Sequence, residues 1–163
     1  MGTAPPSAHL GRPSADSPHA VPAALAELLR YDSPVSTATF RFTTEPVTLG
    51  GTEIPAGHPV LIALGAANRD PARFAAPDTL DLTRDAAGHL AFGHGIHRCF
   101  GAPLAKAEAE IALAAVLRRF PDIHLAVPPE HVRWRRTRLV RGPESLPVLH
   151  SGSEGVAPLR PRG

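Results

Sequence analysis

Hydrophobic spacing divides the chain into a short helical stretch, a strand-rich stretch, an irregular middle and a longer second helix. Over residues 21–32, Leu25, Leu28 and Leu29 recur at helical intervals, with Pro22 suited to a first turn. Ser33-Pro34 ends that helix, because the residue before a proline disfavours helical angles. From 35 to 64 the period shortens. Thr37, Thr39, Phe40, Phe42 and Thr44 favour extended backbone. Val47–Leu49 and Thr52–Ile54 flank Gly50-Gly51, a hairpin signal. Pro55-Ala56-Gly57 predicts a further turn before a strand over 60–64. Residues 70–91 carry prolines, Gly88 and several aspartates with no period, and predict a long irregular connection, which is unusual unless functional. An alanine-rich helix follows over 102–120, with Leu113, Val116, Leu117 and Phe120 on one stripe and Pro121 as its stop. Strand-like pieces at 123–127, 131–140 and 146–149 close the pattern, with Arg141-Gly142-Pro143 turning between the last two.

The ends read differently. Residues 1–20 are rich in Pro, Ser, Ala and Gly without apolar periodicity and predict a disordered leader. Residues 151–163 have the same character and predict a disordered tail, leaving 21–150 as the folded segment. The longest apolar run, 60–67, is far too short to span a bilayer, and no secretory signal follows Met1. A cytoplasmic location is expected, with no membrane partner. One cysteine excludes an intrachain disulfide and fits a reducing compartment. The 17 basic and 15 acidic residues leave a net charge of only +2, with the signs interleaved. The exception is Arg133, Arg135, Arg136, Arg138 and Arg141 beside Trp134. That cluster reads as the solvated face of a strand, and no nucleic-acid partner is expected.

The chemistry concentrates in Phe92-Gly93-His94-Gly95-Ile96-His97-Arg98-Cys99-Phe100-Gly101. A lone cysteine in a glycine-rich turn before a helix is placed where unpaired N–H groups and the helix dipole favour the thiolate, the form that binds metals or attacks. Gly93, Gly95 and Gly101 are expected to take left-handed angles and let backbone approach a flat ligand. His94, His97 and Cys99, with His89 nearby, also admit a zinc reading, although their spacing fits no common zinc pattern. Glu27 and Arg30, three apart on the first helix, project from one side of it.

The spacing of Phe92, Gly95, Cys99 and Gly101 resembles the cysteine-ligand loop of the cytochrome P-450 family, the haem-thiolate monooxygenases, in its bacterial form. The resemblance extends in unbroken order. Glu27-x-x-Arg30 followed by Tyr31-Asp32-Ser33-Pro34-Val35 looks like that family's K helix. The glycine-rich hairpin, Ala67-Asn68-Arg69-Asp70-Pro71, the meander ending in Asp81 to Arg84, and the helix after the cysteine all have counterparts. It implies an α+β chain, the C-terminal part of a mainly helical fold.

The resemblance also implies roles. Cys99 would be the axial ligand of haem b (iron protoporphyrin IX), donating electron density to the iron. Phe92 would pack near the sulfur side of the porphyrin. Gly93, Gly95 and Gly101 would let N–H groups approach the sulfur. His97 would meet a haem propionate with Arg41 as its companion, while His94 is as readily a loop-packing residue. Glu27 and Arg30 would form a buried structural network completed by Arg84, with Arg69 as second candidate. Electron donors of the ferredoxin and ferredoxin reductase type are implied. Everything that precedes the K helix in the family, including the distal oxygen-activating helix and most substrate contacts, has no counterpart here. The expectation is a haem-binding segment, poorly active alone unless a second chain supplies the distal half; the alternative is a non-catalytic haem-binding or interaction remnant.

Overall fold

A computed structural model describes residues 20–137 and 140–152. The proposed leader lies almost wholly outside the described residues, as do Arg138 and most of the proposed tail.

Helix α1 (Ala20–Tyr31) forms where the leucine spacing predicts and stops before Ser33-Pro34. Val21, Ala24 and Leu25 are buried, and the helix packs on α3 (Ala102–Arg119). Among the described residues, two small two-stranded antiparallel ladders and one long irregular segment lie between them, and a third ladder follows α3. Strands β1 (Arg41–Phe42) and β4 (Pro59–Val60) pair Arg41 with Val60. Strands β2 (Val47–Leu49) and β3 (Thr52–Ile54) form the predicted hairpin, with Thr48 opposite Glu53. Gly50 and Gly51 both have positive φ, 57° and 80°, which a two-residue turn matched to strand twist requires. Strand β5 (His124–Leu125) pairs with β6 (Val148–Leu149) after α3.

Several expectations are corrected. The strand expected over 60–64 ends at Val60. The N–H of Gly65 is captured by the Ser36 carbonyl, and the chain turns into the short helix α2 (Leu64–Ala67). Among the described residues of 131–140, no extended strand forms. Residues 129–131 make a 3-10 turn, and Trp134 pairs with Pro143 in an isolated bridge flanked by the bonds Arg135 N–H to Gly142 O and Glu144 N–H to Arg133 O. Arg141-Gly142-Pro143 is therefore one arm of a reversal rather than its tip. Arg133, Arg135, Arg136 and Arg141 are exposed to solvent, as the solvated-face reading expects. Arg141 pairs with Asp32 at 2.9 Å and lies 4.0 Å over the Trp134 ring, which ties this segment to the end of α1. Arg133 meets Glu144 at 3.5 Å. On α3 the stripe is half-buried at Leu113, Leu117 and Phe120, whereas Val116 is exposed.

The largest fully buried side chains are Arg30, Glu27 and Asn68. Apolar burial is carried by smaller groups and by Phe74 and Leu64, while Ile96, Phe100, Leu104 and Ile111 face solvent. Polar connections, more than a large apolar core, fix the irregular segment.

Candidate functional site

Glu27 and Arg30 meet because three residues is nearly one helical turn. Arg30 Nε donates to Glu27 Oε2 at 2.6 Å and Nη2 to Oε1 at 2.9 Å, a two-pronged pairing with both side chains inaccessible to solvent. The remaining Arg30 donors reach the carbonyls of Asn68, Pro77 and Thr79 at 2.9, 2.9 and 3.4 Å. Arg84, not Arg69, reaches the carboxylate, with Nε 3.2 Å from Oε1, and its other nitrogens donate to the carbonyls of Ala75 and Ala76. Ala76 itself sits at φ 44°, a left-handed angle unusual for a non-glycine residue and sustained here by the surrounding bonds. The Asp81 N–H adds a further bond to Glu27 Oε1 at 3.0 Å. Burial alone would raise the Glu27 pKa; the bonds from Arg30 and Asp81, the Arg30 charge and Arg84 outweigh it and hold the carboxyl below its ordinary value. Arg69 instead pairs with exposed Asp78 at 2.8 Å, donates to the Tyr31 carbonyl and stacks 4.3 Å over the Tyr31 ring.

The cysteine loop rests on this network through Asn68. Its side-chain oxygen accepts the Leu90 N–H at 2.6 Å, just before the loop begins. Within the loop the Gly93 N–H donates to Leu90 O and the Cys99 N–H to Phe92 O, at 2.9 and 2.8 Å, folding Cys99 back against Phe92. Residues Gly95–His97 form a 3-10 turn. Gly93 and Gly95 have φ of 71° and 61°, as the loop needs. Gly101 does not; its φ is −79°, and it occupies the cap position of α3 with Cys99 Sγ 3.7 Å from where a Cβ would stand. Its smallness leaves room beside the sulfur rather than permitting a left-handed turn. Half-buried His89 accepts the Ala91 N–H through Nδ1. Burial first, then the charges of Lys106 and Arg98, push its pKa down.

Cys99 is exposed and lines a cleft of about 780 Å³ between α1, the strand-rich segment and the loop. Leu25, Leu29, Val35, Ala38, Ile62, Leu90, Ala91 and Phe92 give it largely apolar walls, and Arg41, His94 and His97 lie on the same cleft. Arg41 donates to the carbonyls of Thr39 and Phe40, which holds its guanidinium beside that wall. Of the residues expected in the site, Cys99, His97, Phe92, Gly93 and Arg41 thus line one cavity, Gly101 adjoins the sulfur, and Glu27, Arg30 and Arg84 form a separate network beneath it. Asn68 is the participant that motif reasoning passed over; its only signal was its place in the quoted Ala67-Asn68-Arg69-Asp70-Pro71 segment. Among the described residues, no three His, Cys, Asp or Glu side chains cluster as a metal would need, so the zinc reading finds no ligand set there.

The cleft thus combines apolar walls with the Cys99 thiol, the Arg41 guanidinium and the imidazoles of His94 and His97. A family model described as Cytochrome P450 matches residues 19–142, and the chain belongs to that family. Cytochrome P450 107B1 of Saccharopolyspora erythraea is 53% identical over 133 residues, 82% of this chain and 33% of that protein. The cytochrome P450 monooxygenase PikC of Streptomyces venezuelae is 54% identical over 125 residues, 77% of this chain and 30% of that one. The tirandamycin C-bound structure of the P450 monooxygenase TamI superposes with a TM-score of 0.79 at 53% identity, covering 82% of this chain and 34% of that one. The chain therefore spans about a third of the length of the relatives it matches. The fold is the corresponding part of the α+β P450 architecture. The family implies haem and redox partners.

The residues present fit a haem. The cleft lies within the ~300–1,000 Å³ range of small-molecule sites and combines apolar walls with few polar groups, as such sites do. A thiol, an arginine and two histidines offer an axial donor and partners for carboxylates. No helix of the described residues is long and apolar enough to cross a membrane.

Proposed function

We infer that residues 21–150 form the thiolate-side half of a haem b site in a cytochrome P450 monooxygenase, with Cys99 as the axial ligand. The observation that carries this reading is that Arg41, remote in sequence from His97 and Cys99, lines the same apolar cleft as they do. When bound, haem supplies the iron centre at which dioxygen is activated for insertion of one oxygen atom into an organic substrate.

The chain's own groups divide the work of holding it. Phe92 and the α1 leucines take the apolar ring surface out of water, and the favourable free energy scales with that area. His97 and Arg41 would hold the propionates. The loop backbone holds the sulfur at the edge of the cleft, and Gly101 leaves space beside it. Glu27, Arg30 and Arg84 are structural supports, and none of them acts in the reaction. Electrons come from a ferredoxin and its reductase, and the work is done in the cytoplasm.

Cys99 and the cleft beside it are open to solvent in this chain, so a ring held here keeps one face wet. The chain alone is consequently a weak haem binder and a poor oxygenase. Distal helices, supplied by a second chain, would cover that face and complete the site. The test is the visible spectrum of the purified chain given haem, reduced and exposed to carbon monoxide. A thiolate-type red-shifted Soret band that disappears in Cys99→Ala supports the reading. Haem binding indifferent to Cys99, or none at all, overturns it.

A further inference from the structure

The geometry points to Asn68 as the positioning residue for the cysteine loop, linking the buried ion network to the backbone that carries Cys99. This deepens the haem-thiolate reading and rests on it only for what the loop holds.

Asn68 is fully buried, and three of its groups make directed bonds. Its carbonyl accepts Arg30 Nη1 at 2.9 Å, its N–H donates to Leu64 O at 2.9 Å, and its side-chain oxygen accepts the Leu90 N–H at 2.6 Å. From Leu90 the path to the ligand is short. The Leu90 carbonyl takes the Gly93 N–H, and the Phe92 carbonyl, two residues on from Leu90, takes the Cys99 N–H. A displacement of Leu90 therefore moves the acceptor that fixes the Cys99 backbone.

The half-buried Leu90 N–H needs an oxygen on a short stem, and the Asn68 side chain provides it. The Leu90 bond also fixes which way the amide faces, because the reversed orientation would set two donors against each other. Its nitrogen is then left without an acceptor among the described residues, a buried donor that a residue merely filling the space would not carry. The site tolerates that orphan in exchange for the bond to the loop.

Amide hydrogen exchange on the full chain tests this without any cofactor. In Asn68→Ala, exchange across residues 90–99 should quicken roughly ten- to hundredfold, the loss expected when a buried N–H is orphaned, while the α3 amides keep their protection. Asn68→Asp retains an oxygen towards Leu90 and should restore protection. With haem, reductant and carbon monoxide, Asn68→Ala should lose the thiolate-type band in favour of the band given when the thiolate is lost, and Asn68→Asp should keep it. Unchanged exchange over 90–99 in Asn68→Ala overturns the proposal. So does loss of protection that is equal in α3 and the loop, or an Asn68→Asp chain that folds by circular dichroism yet exchanges like the alanine variant. If the wild-type chain itself gives no thiolate band, the haem reading fails while the exchange experiment still decides the role of Asn68.

Discussion

Two carboxylates that pair with arginine give this chain an internal control for the buried network. Glu27 is inaccessible and accepts four bonds: Arg30 Nε on Oε2, and Arg30 Nη2, Arg84 Nε and the Asp81 N–H on Oε1. Asp78 meets Arg69 at 2.8 Å, comparable to the Glu27 bonds, but its side chain is 82% exposed. Glutamine at 27 keeps one oxygen. If that oxygen takes the Oε1 position, the new NH₂ faces Arg30 Nε at the place where Oε2 lay, donor against donor. The opposite orientation sets the NH₂ against three donors. Either way two guanidinium groups lose their counter-charge in a dry site.

Removing one partner of a buried pair costs about 3–5 kcal/mol, against a typical domain stability of about 5–15 kcal/mol. Asp78→Asn should cost only about 0.2–1 kcal/mol, because water screens that pair. Urea unfolding followed by circular dichroism reads both as midpoint shifts at constant slope. The acid limb gives a second reading. The Glu27 pKa is held below its ordinary value of 4.5, so the unfolded chain binds the proton more readily. The stabilisation is complete above the ordinary range and is lost as pH falls through the lower folded value, so the gap between wild type and Glu27→Gln should shrink on acidification. A Glu27→Gln chain within 1 kcal/mol of wild type, or a cost equal to that of Asp78→Asn, would refute the claim that burial makes the network decisive.

The loop glycines should separate by backbone angle. Gly93→Ala forces a side chain onto φ 71° with its Cβ 3.2 Å from His97 O and should destabilise by about 1–3 kcal/mol, whereas Gly101→Ala, at φ −79°, should fold almost as wild type. His89 is held neutral, with its pKa below 6.5, so stability should decline as pH falls from there through the lower folded value; His89→Gln should flatten that part of the profile in a pH series of unfolding curves. Cys99→Ala should leave circular dichroism unchanged and abolish any thiolate-type spectrum, since the exposed side chain packs little; a collapse of the fold would contradict that account.

Local periodicity made α1, α3 and the β2–β3 hairpin legible, because each is specified by residues a few positions apart. What failed was set at a distance. The stretch 60–64 reads as a strand by composition, yet the ladder ends at Val60 and the chain turns helical from Leu64, where Ser36 and Ile62 supply acceptors. The arginine-rich stretch around Trp134 alternates like a strand, but Arg141 is drawn to Asp32, 109 residues away. Arg84 and Arg69 were indistinguishable in sequence because only the path of the irregular segment decides which one faces Glu27. The cysteine motif singled out Cys99, while the cleft emerges only when α1, β1 and the loop converge. Asn68 was invisible for the same reason: its partner is an N–H, which carries no sequence signature.

The irregular segment poses a physical problem that the network answers. A helix or sheet satisfies its own carbonyls in a repeating ladder, but a meander presents them at odd angles and spacings. Arginine suits such a surface, because its planar group carries five N–H donors in a rigid fork. At Arg30 the fork makes five bonds, two to Glu27 and three to the carbonyls of residues 68, 77 and 79, while Arg84 serves 75, 76 and 79. A lysine could carry the charge but could not gather separate stretches of chain from one point. The carboxylate of Glu27 neutralises the fork, keeps the cluster tolerable away from water and draws in the Asp81 N–H. The ion network therefore does for the meander what backbone pairing does for a strand. Asn68 carries that order into the cysteine loop, which has no ladder of its own.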